Sequence, residues 1–185
     1  MTLRTNYDDG GTAPLPGNLV ASDLIAISKL LNNLSNSVSL HSNVVTSGTT
    51  QTVVLQLDLP ANSLQVGSTF NVIAAAIDSV SANLTWQIHL GPLGTTADPV
   101  VCSVVQGTNG GATPSYNQGL VTIRSIGASG TAIGEILSNI IANAYISNQT
   151  ATTTVATTAD NKLTLSVAAA SGTATVYVAL IEQVI

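Results

Sequence analysis

Two histidines, one cysteine and nine acids are the residues of this 185-residue sequence whose spacing bears most directly on acid–base or metal chemistry. His41 and His89 stand far apart, each without a neighbouring cluster of acids. Their spacing assembles neither a metal-ligand set nor a general base with an orienting partner. Each reads as a hydrogen-bonded or solvated histidine. Cys102 is the only cysteine, which excludes an intrachain disulfide and a thiolate metal cluster. It sits in an apolar run with nothing basic nearby to lower its pKa, and reads as a small core residue. Glycoside hydrolysis needs two carboxyl groups close together on a pocket wall. Asp58, Asp78, Asp98 and Glu135 are available for this, but spacing chooses no pair among them. Asp8-Asp9-Gly10 has the look of a calcium loop and lacks the alternating ligands and terminal Glu of an EF-hand. No nucleophile elbow, phosphate loop or dinucleotide fingerprint is present. An enzyme is not expected, nor a cofactor or metal. One candidate binding element remains, the stretch QGTNGGATPSYNQG at 106–119, which reads as a long surface loop. Its Tyr116 and Asn117 are candidates for contact with a host glycan; the alternative is that Tyr116 pins its own loop.

The elements that must carry these residues are constrained by composition. Charged residues make up 7% of the chain, against roughly 25% in an ordinary globular domain. With 45% hydrophobic residues and only 3% aromatic, the surface must be built largely from Thr, Ser, Asn, Gln and Gly. That is the composition of an exposed β-rich structural protein rather than of a disordered chain. The four cations, Arg4, Lys29, Arg124 and Lys162, are dispersed and form no patch, so nucleic acid is not an expected partner. No stretch has the length of a membrane helix, and aromatics are too few for the two girdles of an outer-membrane barrel. MTLRTNYDDGGTAPLPGN lacks the apolar region of a secretory signal, so synthesis in a cytoplasm is expected. The glycosylation patterns at Asn33, Asn83 and Asn148 then read as accidental.

Along the chain, three parts are expected. Residues 1–18, with Pro14, Pro16 and three glycines, form an extended arm that cannot bury itself. Docking on another chain, through Leu3, Arg4, Tyr7 and Leu15, is the expected role; lying back along its own domain is the alternative. Residues 19–43 hold one helix, over 19–38, and a linker. Ser22 or Asp23 caps it. Its apolar residues Val20, Leu24, Ile27, Leu31, Leu34 and Val38 are spaced alternately by four and three. This is a heptad seam, with Leu at two a positions and Ile at a d position, leaning toward three or more strands. The competing reading is an amphipathic helix packed on its own β domain.

From 44 to 185 the pattern is β. Val53, Leu55, Leu57 and Leu59 alternate with polar residues. Pro60-Ala61-Asn62-Ser63 and Gly67 break the chain at a corner before Phe70–Ile77, which is apolar on both faces. Leu84, Trp86, Ile88 and Leu90 point inward, with His89 outward. Val100–Val105 and Leu120–Ile126 are further strands, and 131–147 is mostly β despite some helical spacing. Thr152–Thr158 is an edge strand, and Leu163, Leu165 and Val167 alternate inward. The last strand, 174–185, is apolar on both faces, so Val178 and Leu180 are expected at an interface between copies. Roughly eight to ten such strands predict an antiparallel sandwich, a jelly roll first and an immunoglobulin-like sandwich second.

Two stretches carry a resemblance. LDLPANSLQVGSTFNVIAAA, residues 57–76, and NKLTLSVAAASGTATVYVALIEQV, residues 161–184, resemble segments of bacteriophage virion proteins with trimeric jelly-roll domains. There a strand, a Pro-Ala-Asn corner, a Leu-x-Val-Gly step and a second strand recur. The resemblance implies a non-enzymatic virion protein: a capsid decoration (cement) protein or short head fibre. Its arm would bind the major capsid protein or another virion protein, and its copies would form a homo-oligomer, most simply a trimer. The alternative within the same family is a tail-fibre module whose 106–119 loop and Trp86 strand recognise a host-surface glycan.

Overall fold

The computed structural model describes residues 37–79, 83–107, 114–140, 144–149 and 152–184, and every regular element among them is a β-strand. The arm residues Leu3, Arg4, Tyr7 and Leu15 and the seam residues Val20, Leu24, Ile27, Leu31 and Leu34 lie outside the described residues. Among those described, no helix is long and apolar enough to cross a membrane. Twelve strands are described, more than the sequence suggests because several are short or split. They are β1 (Ser37–Ser39), β2 (Val44–Ser47), β3 (Thr52–Leu59), β4 (Thr69–Asp78), β5 (Leu84–Gly91) and β6 (Val100–Gln106). There follow β7 (Pro114–Ser125), β8 (Gly130–Ile140), β9 (Ala144–Gln149), β10 (Thr153–Val155), β11 (Asn161–Ala169) and β12 (Thr173–Gln183).

The strands form two antiparallel sheets in a sandwich-like arrangement. The larger has the order β1-β12-β4-β7-β8-β10, with β2 also beside β12 and β9 also beside β8. The smaller has the order β3-β11-β5-β6. The pairing is nested: β5 meets β6, β4 meets β7, β3 meets β11, and β2 meets β12. It is the pairing of a long double strand folded over at the β5–β6 connection. β8, β9 and β10 are an addition between β7 and β11 on the far edge of the larger sheet. The described residues within 131–147 are therefore β, in β8 and β9, as the many Ile residues favour, and the helical spacing is incidental.

The two inner faces divide the packing unequally. Trp86, Ile88, Leu90, Leu163 and Leu165 of the smaller sheet are fully buried. The larger sheet sets large residues such as Phe70, Ile123 and Ile181 beside small ones, among them Ala74, Ala132, Gly119 and Gly134. A Cβ on Gly119 would stand 2.5 Å from Ile88 Cδ1. One on Gly134 would stand 2.8 Å from Val101 Cγ1 and 2.9 Å from Cys102 Sγ. At these two glycines side chains of the smaller sheet enter space left by missing side chains on the larger, which lets the sheets approach closely there.

Bulges explain where simple alternation fails. In β3 the partners of Leu165 and Ser166 are Leu55 and Val53, so Val54 is the extra residue. Val54 is buried in place of the expected Val53. In β12 the partners of Ala76 and Ala75 are Val176 and Val178, which makes Tyr177 extra. Inward Ala174 and Val176 are then followed by outward Tyr177 and Val178 and by inward Ala179 and Ile181.

Three expectations are corrected. Val38 is not a seam position of a helix but the centre of β1, opposite Ile181 and packed against the core. Ser-Val-Ser can alternate, and β12 offers it unpaired main-chain groups, which together outweigh the helical spacing. The described β strands accordingly include Ser37–Ser39, ahead of the expected start at 44. Tyr116 and Asn117 do not sit in a loop: β7 begins at Pro114, and they pair with Ala75 and Ala74 of β4. Their Gly- and Asn-rich surroundings read as loop, yet the stretch alternates cleanly, with Ser115, Asn117 and Gly119 inward and Tyr116 and Leu120 outward.

Candidate functional site

The groups capable of chemistry are taken up by the fold itself. His89 was expected to face solvent, and its strand does point it away from the core, but the 92–99 segment folds back over that face. Its ring is buried, with Nδ1 3.0 Å from the Asp98 carbonyl and Nε2 2.9 Å from Ser166 Oγ. The carbonyl can only accept, so Nδ1 carries a hydrogen. Ser166 Oγ also lies 2.9 Å from Gln51 Oε1, and Gln51 donates its amide to the Thr85 carbonyl. A serine–histidine pair is the arrangement of a nucleophile and its base. Sequence gave no hint of this one, because 77 residues separate the partners. Ser166 is completely buried, though, and the ring is oriented by a main-chain carbonyl, so no substrate reaches the hydroxyl.

Asp98 is structural as well. Its carboxylate accepts the main-chain N–H groups of Leu93 at 3.1 Å, Gly94 at 2.6 Å and Thr95 at 3.2 Å. Gly94 has φ +68°, and a Cβ there would run into Gln56 and Lys162, so this segment lies tight against the outer side of the smaller sheet. Asp58 and Asp160 both line an open cleft of about 350 Å³, together with Pro60, Asn161 and Lys162. Asp160 Oδ1 accepts the Ala61 N–H at 2.8 Å, fixing the Pro60 corner, while Asp58 lies 4.0 Å from Lys162 Nζ in an exposed pair. No group of three His, Cys, Asp or Glu side chains able to hold a metal occurs among the described residues. His41 is exposed, with Nδ1 2.8 Å from the Ser39 carbonyl.

Cys102 is buried under Gly134, as expected of a core residue. Desolvation pushes its thiol up from 9.0 to about 12, and the Glu135 carboxylate adds to the shift. It is a poor nucleophile there. Trp86 is fully buried and donates its Nε1–H to Gln106 Oε1 at 3.2 Å. Asn117, only 2% exposed, donates to the same oxygen at 3.4 Å. Neither residue is available to a glycan.

What the surface offers instead is the outer face of the larger sheet. Register places Leu180, Ile73, Gln118 and Leu137 side by side across β12, β4, β7 and β8. Val178, Ala75 and Tyr116 form the adjacent row, and Thr175, Ile77 and Pro114 the next. Tyr116, Val178 and Leu137 are 44%, 44% and 41% exposed, well above what buried strand positions show. These three rows contain no charged residue among the described positions. The acids Glu182 and Glu135 stand in the row beyond Leu180, with Asn71 and Leu120 between them. Val178 and Leu180, picked from the sequence as interface residues, both lie on this face. Ile73 and Leu137 also lie on it and were missed, and Tyr116 was assigned to a loop instead, because cross-strand neighbours are set by register and leave no trace in sequence spacing.

No protein-family model matches the sequence, and no curated protein matches it. Among solved structures the chain is similar to one described as the crystal structure of infectious bursal disease virus VP2 subviral particle. That likeness has 10% identity and a TM-score of 0.26, over 80% of this chain and 40% of that one. A second, the structure of infectious bursal disease virus Gx strain, gives 11% identity and a TM-score of 0.28 over the same shares. The chain thus spans about 40% of the length of either neighbour, and these weak structural neighbours are proteins of virus particles.

Proposed function

We propose that the chain is a non-enzymatic structural protein of a virion: a jelly-roll domain that decorates a bacteriophage capsid as a cement protein or short head fibre. The jelly-roll reading is supported by the nested strand order. The rows β2-β12-β4-β7 and β3-β11-β5-β6, with partners β2·β12, β3·β11, β4·β7 and β5·β6, follow from winding one long antiparallel double strand into two sheets. The observation that carries the functional reading is the contrast between interior and surface. Ser166, His89, Asp98 and Cys102 are buried and satisfied or inert, whereas the accessible surface holds a broad uncharged apolar face. Such a surface adheres to another protein; it does not react.

In this reading the domain is held on the particle by residues 1–18, with Leu3, Arg4, Tyr7 and Leu15 as contacts. Copies associate through the heptad segment 20–34 and through the Val178 and Leu180 face. Area buried across neighbouring shell subunits stabilises the shell against expansion, and several arms per oligomer bind with gain from multivalency. Deleting residues 1–18 is expected to abolish binding to capsids while leaving the thermal unfolding of the β body unchanged. Normal capsid occupancy by the truncated protein would reject the anchor. The glycan-binding alternative loses its expected platform, since Trp86 and Asn117 face inward and Tyr116 belongs to the apolar face.

A further inference from the structure

We infer that the outer face of the larger sheet is where a second copy of this chain packs, sheet against sheet. The inference rests on the self-association in the proposed reading and extends it from Val178 and Leu180 to a continuous surface. Register fixes that surface: Leu180–Ile73–Gln118–Leu137 in one row and Val178–Ala75–Tyr116 in the next. A monomer gains nothing by presenting half-exposed Tyr116, Leu137 and Val178 together on one face, and such patches mark association sites.

Size and charge select the occupant. With strands about 4.8 Å apart and outward rows about 6.8 Å apart, the three rows describe a face of roughly 500 Å² once their outer members are included, Ser39 of β1 and Val45 of β2 at one side and positions 139, 145 and 147 of β8 and β9 at the other. Two such faces together bury about 1,000 Å², the lower bound for a specific interface. A second copy needs no complementary charge, because the three rows are uncharged. The bordering acids Glu182 and Glu135 lie at one end only. A two-fold axis lying in the interface and running across the strands turns that end onto the partner's uncharged end, where Val45 and Ile77 stand. With that axis the acids of one copy do not face those of the other, so the patch is self-complementary, as an isologous contact needs. Two sheets stacked in this way also give Tyr116 an apolar contact on its exposed ring.

Sedimentation velocity on the full-length protein over a wide concentration range tests this, with Tyr116→Glu and Leu137→Glu made singly and together. Both positions are partly exposed, so circular dichroism and unfolding temperature are expected to stay at parent values. The parent is expected to associate reversibly, and the double variant to need at least a tenfold higher concentration for half-association. Identical mass distributions for parent and double variant would overturn the inference, even if both bind capsids normally. A parent monomeric at all concentrations, with capsid binding lost in the double variant, would also overturn it, by assigning the face to a shell subunit. Loss of association in the double variant with capsid binding through residues 1–18 retained supports it.

Discussion

Gly134 and Gly119 occupy equivalent places in the sandwich but should not cost the same to replace. An alanine methyl at 134 meets Val101 Cγ1 and the Cys102 Cβ, both short, stiff side chains fully buried in β6. At 119 the one contact that clashes is Ile88 Cδ1, the far end of a longer side chain, while the Glu135 carbonyl at 3.4 Å is at ordinary distance. Overpacking of this kind costs about 1–3 kcal/mol, and Gly134→Ala is expected near the upper end and Gly119→Ala near the lower. Ile88→Val removes the clashing methyl. In a double-mutant cycle followed by urea unfolding, it should therefore recover much of the loss in Gly119→Ala and none of that in Gly134→Ala. Asp98 is the other residue with a large stake: Asp98→Ala leaves three N–H groups without their charged acceptor. A loss of about 3 kcal/mol in urea unfolding is expected, with Asp98→Asn intermediate.

Cys102 supplies a test by pH. The unfolded thiol ionises near 9, while the folded one stays protonated to about 12. Below pH 9 both states hold the proton and the contribution to stability is complete. As pH rises through that window the unfolded state alone releases it, and stability is lost by about 1 kcal/mol per pH unit. Cys102→Ala should flatten this part of the stability profile, and native protein should resist iodoacetamide at pH 8.5 until denaturant is added.

At the scale of elements, the strands were legible wherever one face is apolar and the other polar. Thr52–Leu59, Leu84–Gly91 and Asn161–Ala169 follow their sequence patterns nearly residue for residue, because period-two burial writes itself into composition. The corner was legible too: Asn62 has φ +60° and Gly67 φ +90°, left-handed values that suit those residue types. Three things were not. A bulge changes phase without changing residue type, which hid the inward turn of Val54 and the paired exposure of Tyr177 and Val178. A strand whose inward residues are Ser, Asn and Gly, as in the first half of β7, carries loop composition, and only its hydrogen-bonded neighbours β4 and β8 make it a strand. The Ser166–His89 contact and the apolar rows of the larger sheet depend on which strands are adjacent. That adjacency is a property of winding order and is absent from local pattern. An element-level prediction follows for β1. Val38→Asp places a charge against Ile181 and the core edge, and should release β1 from β12 with early exchange of the Leu40 amide, which donates to the Ala179 carbonyl at 2.9 Å.

For the whole molecule, labour is divided between an interior that holds His89, Ser166 and Asp98 for structural ends and, in the proposed reading, a surface that adheres. The sparse charge that made the sequence look unlike an enzyme is the same property that leaves the outer face of the larger sheet free of repulsion between copies. Fold alone does not decide function, and a sandwich of this winding could serve many roles. The claim that it is a component of a particle is therefore best tested by counting. Quantitative mass spectrometry of gradient-purified phage particles, with isotope-labelled peptides of this chain and of the major capsid protein, gives the copy number directly. A decorating protein is expected at hundreds of copies, in a fixed ratio to the shell subunit. Absence from the particles, or a handful of copies confined to the tail, would contradict the account.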